Sequence, residues 1–363
     1  MTEHEAYIAF NLTEQMGSVR VARAAAEAGG VVPAWEACER ELAKQEKHVD
    51  WQREVAKAAR NNVQIITPAD EGYPPDLLGV ASHPLALYVR GNVAALARPG
   101  VALVGTRRPT LYGLDQSRAM AEGLAREGWT IVSGLALGID AAAHEGALAV
   151  GGLTIGIIGS ALDRFYPKQN TELAKRIIAA GGAVVSEFPF GREPDAQTFP
   201  QRNHVVAALA KGVVAIEAPL KSGTLITTKL ALDFGRIVMA LPGRVDARAS
   251  AGCLALLREG ARLVRHASDV MEELREFAPL PLERSATPPA SRAASPLKST
   301  IALSPEESLI LEAITEEGAE IDELVRRTGL PVARVNIICM TLRLKGCLRY
   351  FAGNRVFLAN SEK

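Results

Sequence analysis

Short apolar runs alternate with longer amphipathic segments through the middle of this chain. The apolar runs lie at residues 101–104, 130–132, 154–158, 183–185, 213–216 and 237–240. Between most of them, apolar residues recur at helical spacing, for example at 115–126, 141–150, 170–180 and 224–234. Because short apolar runs are typical of buried strands, the alternation predicts an α/β fold whose parallel sheet is covered by helices on both faces.

The two ends of the chain do not share this alternation. Residues 1–68 are rich in Ala and Glu, which predicts an N-terminal helical domain ahead of an α/β core at 69–270. Pro, Ser and Ala dominate residues 271–303, and this composition is typical of a flexible linker. We expect order to resume in a small C-terminal domain at 304–363.

The C-terminal segment has the pattern of a winged-helix domain. Ser304, Pro305 and Glu307 suit the start of a helix, with Ser304 as the N-cap. Helices are predicted at roughly 304–316, 320–328 and 332–345. A hairpin with Gly353 and Asn354 in its turn follows. The segment carries eight Lys and Arg residues against nine Asp and Glu, so a protein-contact role is at least as well supported as weak DNA contact.

Composition narrows the class of protein. The length of 363 residues indicates two or three domains, and 48% of the residues are hydrophobic. Lys plus Arg and Asp plus Glu both total 41, so binding to a polyanion would need a local basic cluster. The 4 cysteines form no CxxC pair, which argues against a zinc site and for a reducing cytoplasm. Because we find neither a signal peptide nor a membrane-spanning run, we expect a cytoplasmic protein without a metal or cofactor.

The sequence GTRRPTLYG, which begins at Gly105, is the most informative turn of the chain. It joins a predicted strand to a predicted helix, and in open α/β sheets ligands bind at such turns. Arg107 and Arg108 lie in this turn, and the first amides of the following helix attract anions. The turn matches neither the GxGxxG pattern of dinucleotide-binding proteins nor a Walker loop. The pattern therefore favours phosphate binding over a tight turn with two solvated arginines, but not NAD or ATP.

Two further turns carry candidate chemistry. In VSGLALGIDAAAH, Ser133 and Gly134 stand where backbone amides can approach a ligand. Asp140 and His144 follow, and a capping Asp with a structural His is favoured over an acid–base pair. In FYPKQN, Lys168 supplies a charge beside two aromatic residues, which suits single-stranded nucleic acid or simple packing of the loop.

Two segments later in the chain complete the candidate site. Arg202 in FPQRN lies near a predicted helix start, where it could hold a phosphate or brace the loop. The KSGT segment that begins at Lys221 opens another helix with free amides and two hydroxyls, and it is the second anion site of the chain. Glu217, at the end of the preceding strand, is a single carboxylate and only weak evidence for catalysis.

Taken together, these blocks resemble the DprA (Smf) family of DNA-processing proteins. The similarity covers about residues 73–265, and its ordered motifs are YPPDLL, VALVGTRRPTLYG, VSGLALGIDAAAH, FYPKQN, SEFPFG, FPQRN, SGTLITTKLA, PGR and GARLV. The resemblance implies an extended Rossmann-like core, an N-terminal helical domain of the SAM or helix-hairpin-helix type and a C-terminal winged helix. It also implies non-catalytic binding of single-stranded DNA, RecA loading during natural transformation and homodimerisation through the core.

The resemblance also transfers a positive pocket to this chain. Its basic and polar residues would be Arg107, Lys168, Arg202 and Asn203, with Phe165 as the candidate for base stacking. The full set predicted to bind single-stranded DNA or its phosphates is Gly105, Thr106, Arg107, Arg108, Ser133, Gly134, Phe165, Lys168, Asn170, Arg202, Asn203, Lys221, Ser222, Gly223 and Thr224.

This chain also departs from the family's usual pattern, and two other functions compete. Leu137 and His204 stand where the family commonly has basic residues, and Leu254 stands where an Asn is frequent. The main alternative is a LOG-like phosphoribohydrolase, which resembles this chain in its SGT turn and PGR block but carries a PGGxGTxxE motif with a glutamate that this chain lacks. A transcription regulator with a ligand-sensing sheet is the third possibility, and the acidic tail argues against it.

Overall fold

A nine-stranded sheet forms the centre of the computed structural model, which describes residues 1–279, 304–314, 319–345, 347–351 and 355–358. Its strands are β1 (Gln64–Ile66), β2 (Leu87–Gly91), β3 (Gly100–Gly105), β4 (Thr130–Ser133), β5 (Thr154–Ile157), β6 (Ala183–Ser186), β7 (Gly212–Glu217), β8 (Ile237–Ala240) and β9 (Arg262–Leu263). They lie in the order β1-β2-β6-β5-β4-β3-β7-β8-β9. The predicted α/β fold is confirmed, and all six predicted core strands are present.

The sheet is mixed rather than wholly parallel. Strands β3 to β9 pair in parallel, whereas β2 is antiparallel to β6 and β1 is antiparallel to β2. At the end of β2, Gly91 has φ of 114°, and a Cβ there would overlap the Gly182 carbonyl oxygen. Only glycine therefore allows β2 to approach the turn before β6 this closely.

Helices cover both faces of the sheet. The four N-terminal helices are α1 (Glu3–Asn11), α2 (Ser18–Ala28), α3 (Val31–Lys44) and α4 (Trp51–Arg60). The helices of the core are α5 (Pro75–Leu78), α6 (Leu111–Arg126), α7 (Ile139–Ala149), α8 (Thr171–Ala179), α9 (Thr198–Leu209), α10 (Gly223–Asp233), α11 (Ala251–Arg258) and α12 (Ala267–Glu273). Alternate side chains of β3 face opposite ways, since Ala102 packs with Val205 of α9 and Leu103 packs with Leu124 of α6.

The N-terminal helices have a small core of their own and also contact the sheet. Phe10 and Trp35 pack edge to face, with ring centroids 5.1 Å apart. Glu54 of α4 accepts a hydrogen bond from the Phe190 amide at 2.7 Å, close to the end of β6. Residue contacts accordingly join these helices and the sheet in one compact unit, Met1–Glu283. The predicted boundary between 68 and 69 stays a prediction.

A second unit, Arg284–Lys363, contains the predicted winged helix, which is confirmed. Its elements are α13 (Pro305–Glu312), β10 (Ala319–Glu320), α14 (Ile321–Thr328), α15 (Val332–Leu344), β11 (Leu348–Phe351) and β12 (Arg355–Leu358). Ser304 and Glu307 form the expected capping box at α13. The short strand β10, which the pattern did not predict, pairs with β12. The predicted hairpin turn at Gly353 and Asn354 lies outside the described residues, as do residues 280–303 of the predicted linker at 271–303. The start of that prediction is wrong, because residues 271–273 complete α12 and Leu274 is buried.

Candidate nucleic-acid interface

A cavity of about 1080 Å³ opens at the carboxyl ends of β3 and β7. The chain runs outward from β3 through β4, β5 and β6 on one side and continues through β7 and β8 on the other. Ligands of open α/β sheets bind at such a reversal of strand order, because the loops diverge there and leave a crevice. The turn after β3, the first half of α9, the start of α10 and the loop before α11 line the cavity.

The lining of the cavity is strongly positive. Its charged side chains are Arg107, Arg108, Arg202, Lys221, Arg248 and Asp140, so five cations face one carboxylate. Among the described residues, none of the four exposed cations (all but Arg202) is paired with a carboxylate. Low-dielectric walls concentrate the field of such a cluster, and a chain of zero net charge can therefore attract a polyanion at this one place.

Arg202 differs from the other four cations because it is buried beneath the cavity, with 4% exposure. Its Nη1 donates to the carbonyl oxygen of Ile157 at 2.7 Å, while its Nε has no partner in the described residues. Burial lowers the pKa of Arg202 to about 10, so its guanidinium is charged at neutral pH. A Cβ at residue 134 would overlap this guanidinium, which explains the glycine there.

Asp140 is the internal counter-charge of Arg202. Its carboxylate accepts hydrogen bonds from the amides of Gly134 at 3.1 Å and Ala136 at 3.4 Å. Burial raises the pKa of Asp140, while Arg202 and these amides oppose the shift. The carboxylate thus holds the turn after β4 and stabilises the buried guanidinium.

His144 lies in the core and does not line the cavity. Its Nδ1 is 2.6 Å from Thr154 Oγ1, which itself donates to the Ile131 carbonyl, so His144 Nδ1 carries the hydrogen and donates. Burial lowers the pKa of His144 to about 3, which keeps the ring neutral under ordinary conditions. This arrangement supports the structural interpretation of the Asp140–His144 pair.

The helix N-termini around the cavity differ in whether a side chain accepts hydrogen bonds from their backbone amides. At α6, the Glu217 carboxylate accepts from the Thr110 amide and the Thr110 hydroxyl, both at 2.8 Å. At α9, Asp195 accepts from the Gln197 and Thr198 amides at 2.7 and 2.9 Å. By contrast, α10 begins after Ser222, whose side chain makes no capping bond and whose Oγ has no partner in the described residues.

The structure therefore differs from the sequence-based expectation at the first turn. The amides at the start of α6 are expected to attract a ligand, but the Glu217 carboxylate lies at this helix end and accepts from the amide of the N-cap residue Thr110, while Arg107 and Arg108 line the cavity. At the second predicted anion site, the residues that open α10 line the cavity, with Lys221 beside them. The hydroxyl of Ser222 adds a donor there.

Two aromatic rings stand at the rim of the cavity. Arg107 lies over the ring of Phe199, 4.8 Å from its centroid, and Tyr166 lies 5.9 Å from Phe199. Tyr166 is 43% exposed. Phe165, the residue predicted to stack, is half-buried and packs against the core beside α8. Tyr166 thus offers an exposed ring where Phe165 does not, and one face of the Phe199 ring lies under the Arg107 guanidinium.

Most of the predicted site residues come together at this cavity. Those that line it are Gly105, Thr106, Arg107, Arg108, Gly134, Arg202, Asn203, Lys221, Ser222, Gly223 and Thr224. Four do not line it. The Ser133 hydroxyl donates to the Leu103 carbonyl, and the Asn170 amide donates to the carbonyls of Leu135 and Ala136, so both are structural. Lys168 is exposed outside the lining, near Phe165.

The sequence-based site lacks an arginine and an aromatic residue that line the cavity. Arg248 reaches it from the loop between β8 and α11, and Phe199 forms part of its wall. Phe199 stands in the same FPQRN block as Arg202, so an aromatic residue next to a predicted phosphate ligand was an available signal. Arg248 had no comparable signal, since the sequence alone does not show which surface a single arginine in a loop faces.

Fold and cavity together define a Rossmann-like protein with an anion-binding crevice at the switch point of its sheet. The chain matches the family of DNA recombination-mediator protein A over residues 64–275, and it belongs to this family. A second match, to the DprA winged helix domain, covers residues 287–354. The predicted resemblance to the DprA (Smf) family is confirmed.

Individual relatives agree with this assignment. The chain is 38% identical over 294 residues to protein Smf of Escherichia coli K12, covering 81% of this chain and 77% of that protein. It is 43% identical over 204 residues to the DNA processing protein DprA of Streptococcus pneumoniae R6, covering 56% of this chain and 72% of the relative.

Two solved structures are similar to the fold described above. The X-ray structure of DprA from Streptococcus pneumoniae superimposes with a TM-score of 0.63 at 34% identity, covering 75% of this chain and 98% of the other. A structure of the Helicobacter pylori protein, reported for its single-stranded DNA binding mode, gives 0.53 at 33% identity, covering 59% and 97%. In the described part of the chain, no helix combines the length and apolarity that crossing a bilayer requires.

Proposed function

We propose that this protein binds single-stranded DNA in the cavity, protects it, and loads RecA onto it during natural transformation in the cytoplasm. The observation that carries the proposal is the cluster of five cations against one carboxylate at the switch point of the sheet. The family supports the DNA-processing role. The loading of RecA and a homodimer through the core rest on the family resemblance and are parts of the proposal.

Phosphates would lie against two parts of the lining. The free N-terminus of α10, with Lys221 and the Ser222 hydroxyl, provides donors on one wall. Arg107 and Arg108 provide charge from the turn after β3, while the buried Arg202 supplies a fixed charge. Because these contacts replace condensed counterions, binding should weaken steeply with added salt.

Bases would stack on Phe199 and Tyr166 at the rim. Stacking is worth about 1–3 kcal/mol per base and tolerates any sequence, since every base has a π face. Only an unpaired strand offers such faces to the cavity, and this supports a preference for single-stranded over double-stranded DNA. No base-edge recognition is required, which supports binding without base specificity.

A non-catalytic role is part of the same proposal. The two buried carboxylates nearest the cavity, Asp140 and Glu217, each accept two hydrogen bonds from the protein itself. His144 is neutral and buried. None of these groups is therefore poised as the acid or base that a phosphoribohydrolase would need. Release of a base from a nucleoside monophosphate by the purified protein would favour that alternative.

The proposal is tested by replacing exposed cations of the cavity. Arg107→Ala and Arg248→Ala should each weaken binding of oligo-dT about tenfold, because each removes a charge-assisted contact. The slope of log affinity against log salt should also fall by about 0.7 for each lost phosphate contact. The measurement is fluorescence anisotropy over a range of salt concentrations, with a hairpin duplex as the competing ligand.

Arg176→Ala is the matched control. Arg176 is an exposed arginine of α8 that does not line the cavity, so its loss should leave both affinity and salt slope unchanged. Identical titrations for the wild type and both cavity variants would refute this location of the site. Equal affinity for oligo-dT and duplex would refute the single-strand preference.

A further inference from the structure

Glu217 ends β7 and is 1% exposed, and it takes part in no step of the proposed function. Its two carboxylate oxygens accept from the amide and the hydroxyl of Thr110, the N-cap of α6. Its main-chain oxygen accepts from the Thr106 amide at 2.7 Å. One residue of β7 thus holds the turn after β3 at both its start and its end.

The surroundings of Glu217 are shaped for an anion. A Cβ at residue 113 would overlap Glu217 Oε2, so the glycine in the first turn of α6 is what allows the carboxylate to lie there. Among the described residues, no Lys, Arg or His forms an ion pair with Glu217. Its charge is balanced by the Thr110 amide and hydroxyl and by the positive end of the helix dipole.

This position is the one at which Rossmann-like folds commonly bind a ligand phosphate, at the start of the helix after the first strand. We propose that Glu217 is a built-in anion that takes the place of a ligand phosphate at the N-terminus of α6. The carboxylate closes this helix end to the phosphates of DNA and of free nucleotides. It thereby confines DNA phosphates to the start of α10 and to the cations of the lining, and this second consequence rests on the proposed function.

The first test asks whether a small anion restores the stability of a variant that lacks the Glu217 carboxylate. Glu217→Ala leaves the Thr110 donors without an acceptor and opens space beside them, so the variant should unfold at a lower temperature than the wild type. Inorganic phosphate should then raise its Tm by at least about 2 °C more than it raises that of the wild type, at matched ionic strength. Glu217→Gln fills the space and should show no such extra rise.

Glu54→Ala is the matched control for this rescue. Glu54 is also a buried carboxylate that accepts a hydrogen bond from a backbone amide, but that amide belongs to Phe190, which does not open a helix. Its loss should destabilise the protein without any phosphate-specific recovery. A Glu217→Ala protein that responds to phosphate no more than Glu54→Ala does would overturn the proposal.

The second test keeps the geometry and removes only the charge. Glu217→Gln still offers an acceptor to the Thr110 amide, so it stays measurable even where the alanine variant does not fold. Because the positive end of α6 is then no longer neutralised, affinity for oligo-dT should rise about two- to fivefold with an unchanged salt slope. Unchanged or weaker binding would overturn the proposal. Failure of the wild type to bind oligo-dT would refute the proposed function. The phosphate rescue would still test whether Glu217 takes the place of a ligand phosphate.

Discussion

Arg202 is held in place before any ligand arrives. A buried guanidinium is costly unless it is paired, and here the Ile157 carbonyl and the Asp140 carboxylate compensate it. The exposed Arg107 and Arg248 would attract phosphates from solvent, and their side chains would lose conformational freedom on binding them. We therefore interpret Arg202 as a preorganised cation of the cavity and the exposed arginines as cations whose side chains adjust to the ligand.

Glu187, after β6, is only partly buried as a residue, but one oxygen of its carboxylate is buried, which costs stability. Its Oε1 has no partner in the described residues, and burial raises the pKa of Glu187 from 4.5 to about 7. Between these two values the folded protein holds more protons than the unfolded chain, so this group lowers stability as the pH rises from 4.5 to 7. Below pH 4.5 this carboxyl group is mostly protonated in both the folded and the unfolded state, so its destabilising effect is absent.

Glu187→Gln should consequently stabilise the protein at alkaline pH. We expect a gain on the order of 1–3 kcal/mol at pH 8, where Glu187 is ionised, and a much smaller gain at pH 4.5. Urea unfolding at the two pH values measures the difference. The exposed Glu276→Gln should change neither value, and an equal effect of Glu187→Gln at both pH values would contradict the assigned cause.

At the scale of elements, the described side chains of α15 and its C-terminal neighbour Lys345 provide little of what a DNA-reading helix needs. Arg334 pairs with Glu306 at 2.7 Å, and Lys345 pairs with Glu307 at 2.7 Å. The outward positions Ile337 and Met340 are apolar and 58% and 65% exposed. Internal pairing of cations leaves less charge for phosphates, and this favours contact with protein over contact with DNA for the winged helix.

Removal of residues 304–363 should therefore change the affinity for oligo-dT by less than about twofold. The reason is that the cations that line the cavity all belong to the first unit, which has a core of its own. Anisotropy on the full and shortened chains measures this. A tenfold loss of affinity on removal would assign DNA binding to the winged helix as well.

At the scale of the whole molecule, the proposed DNA binding and the proposed RecA loading would form one sequence of events. Lys plus Arg and Asp plus Glu both total 41, so the proposed attraction to DNA depends on the local cluster of cations in the cavity and not on the net charge of the chain. A strand held mainly through phosphates and stacked bases can be passed on as these contacts are exchanged one by one.

The full chain should accelerate RecA filament formation on single-stranded DNA covered by a single-strand binding protein. Arg107→Ala should reduce this acceleration in proportion to its loss of DNA affinity, while Arg176→Ala should behave as the wild type. Filament formation can be followed through the DNA-dependent ATPase activity of RecA. Absence of any acceleration by a wild-type protein that binds oligo-dT would refute the loading role and leave DNA binding intact.

The alternating pattern of the chain was sufficient to predict the strands of the core, the helices between them and the edge of the sheet at which the cavity lies. Periodicity and apolar runs report local burial, and the ends of parallel strands necessarily meet at one edge. The antiparallel pairing of β2 with β6 had no such signal, because either strand direction buries the same residues.

Which groups face the cavity was decided only in three dimensions. Glu217 reaches Thr110 across 107 positions of the chain and occupies a helix end that looked free, while Arg248 enters the cavity from a loop with no motif. Phe165 and Tyr166 are neighbours, yet one packs inward and the other stands at the rim. Local sequence sets which residue types are available at the ends of strands. Their partners and directions come from distant segments, and so they exist only once the chain has folded.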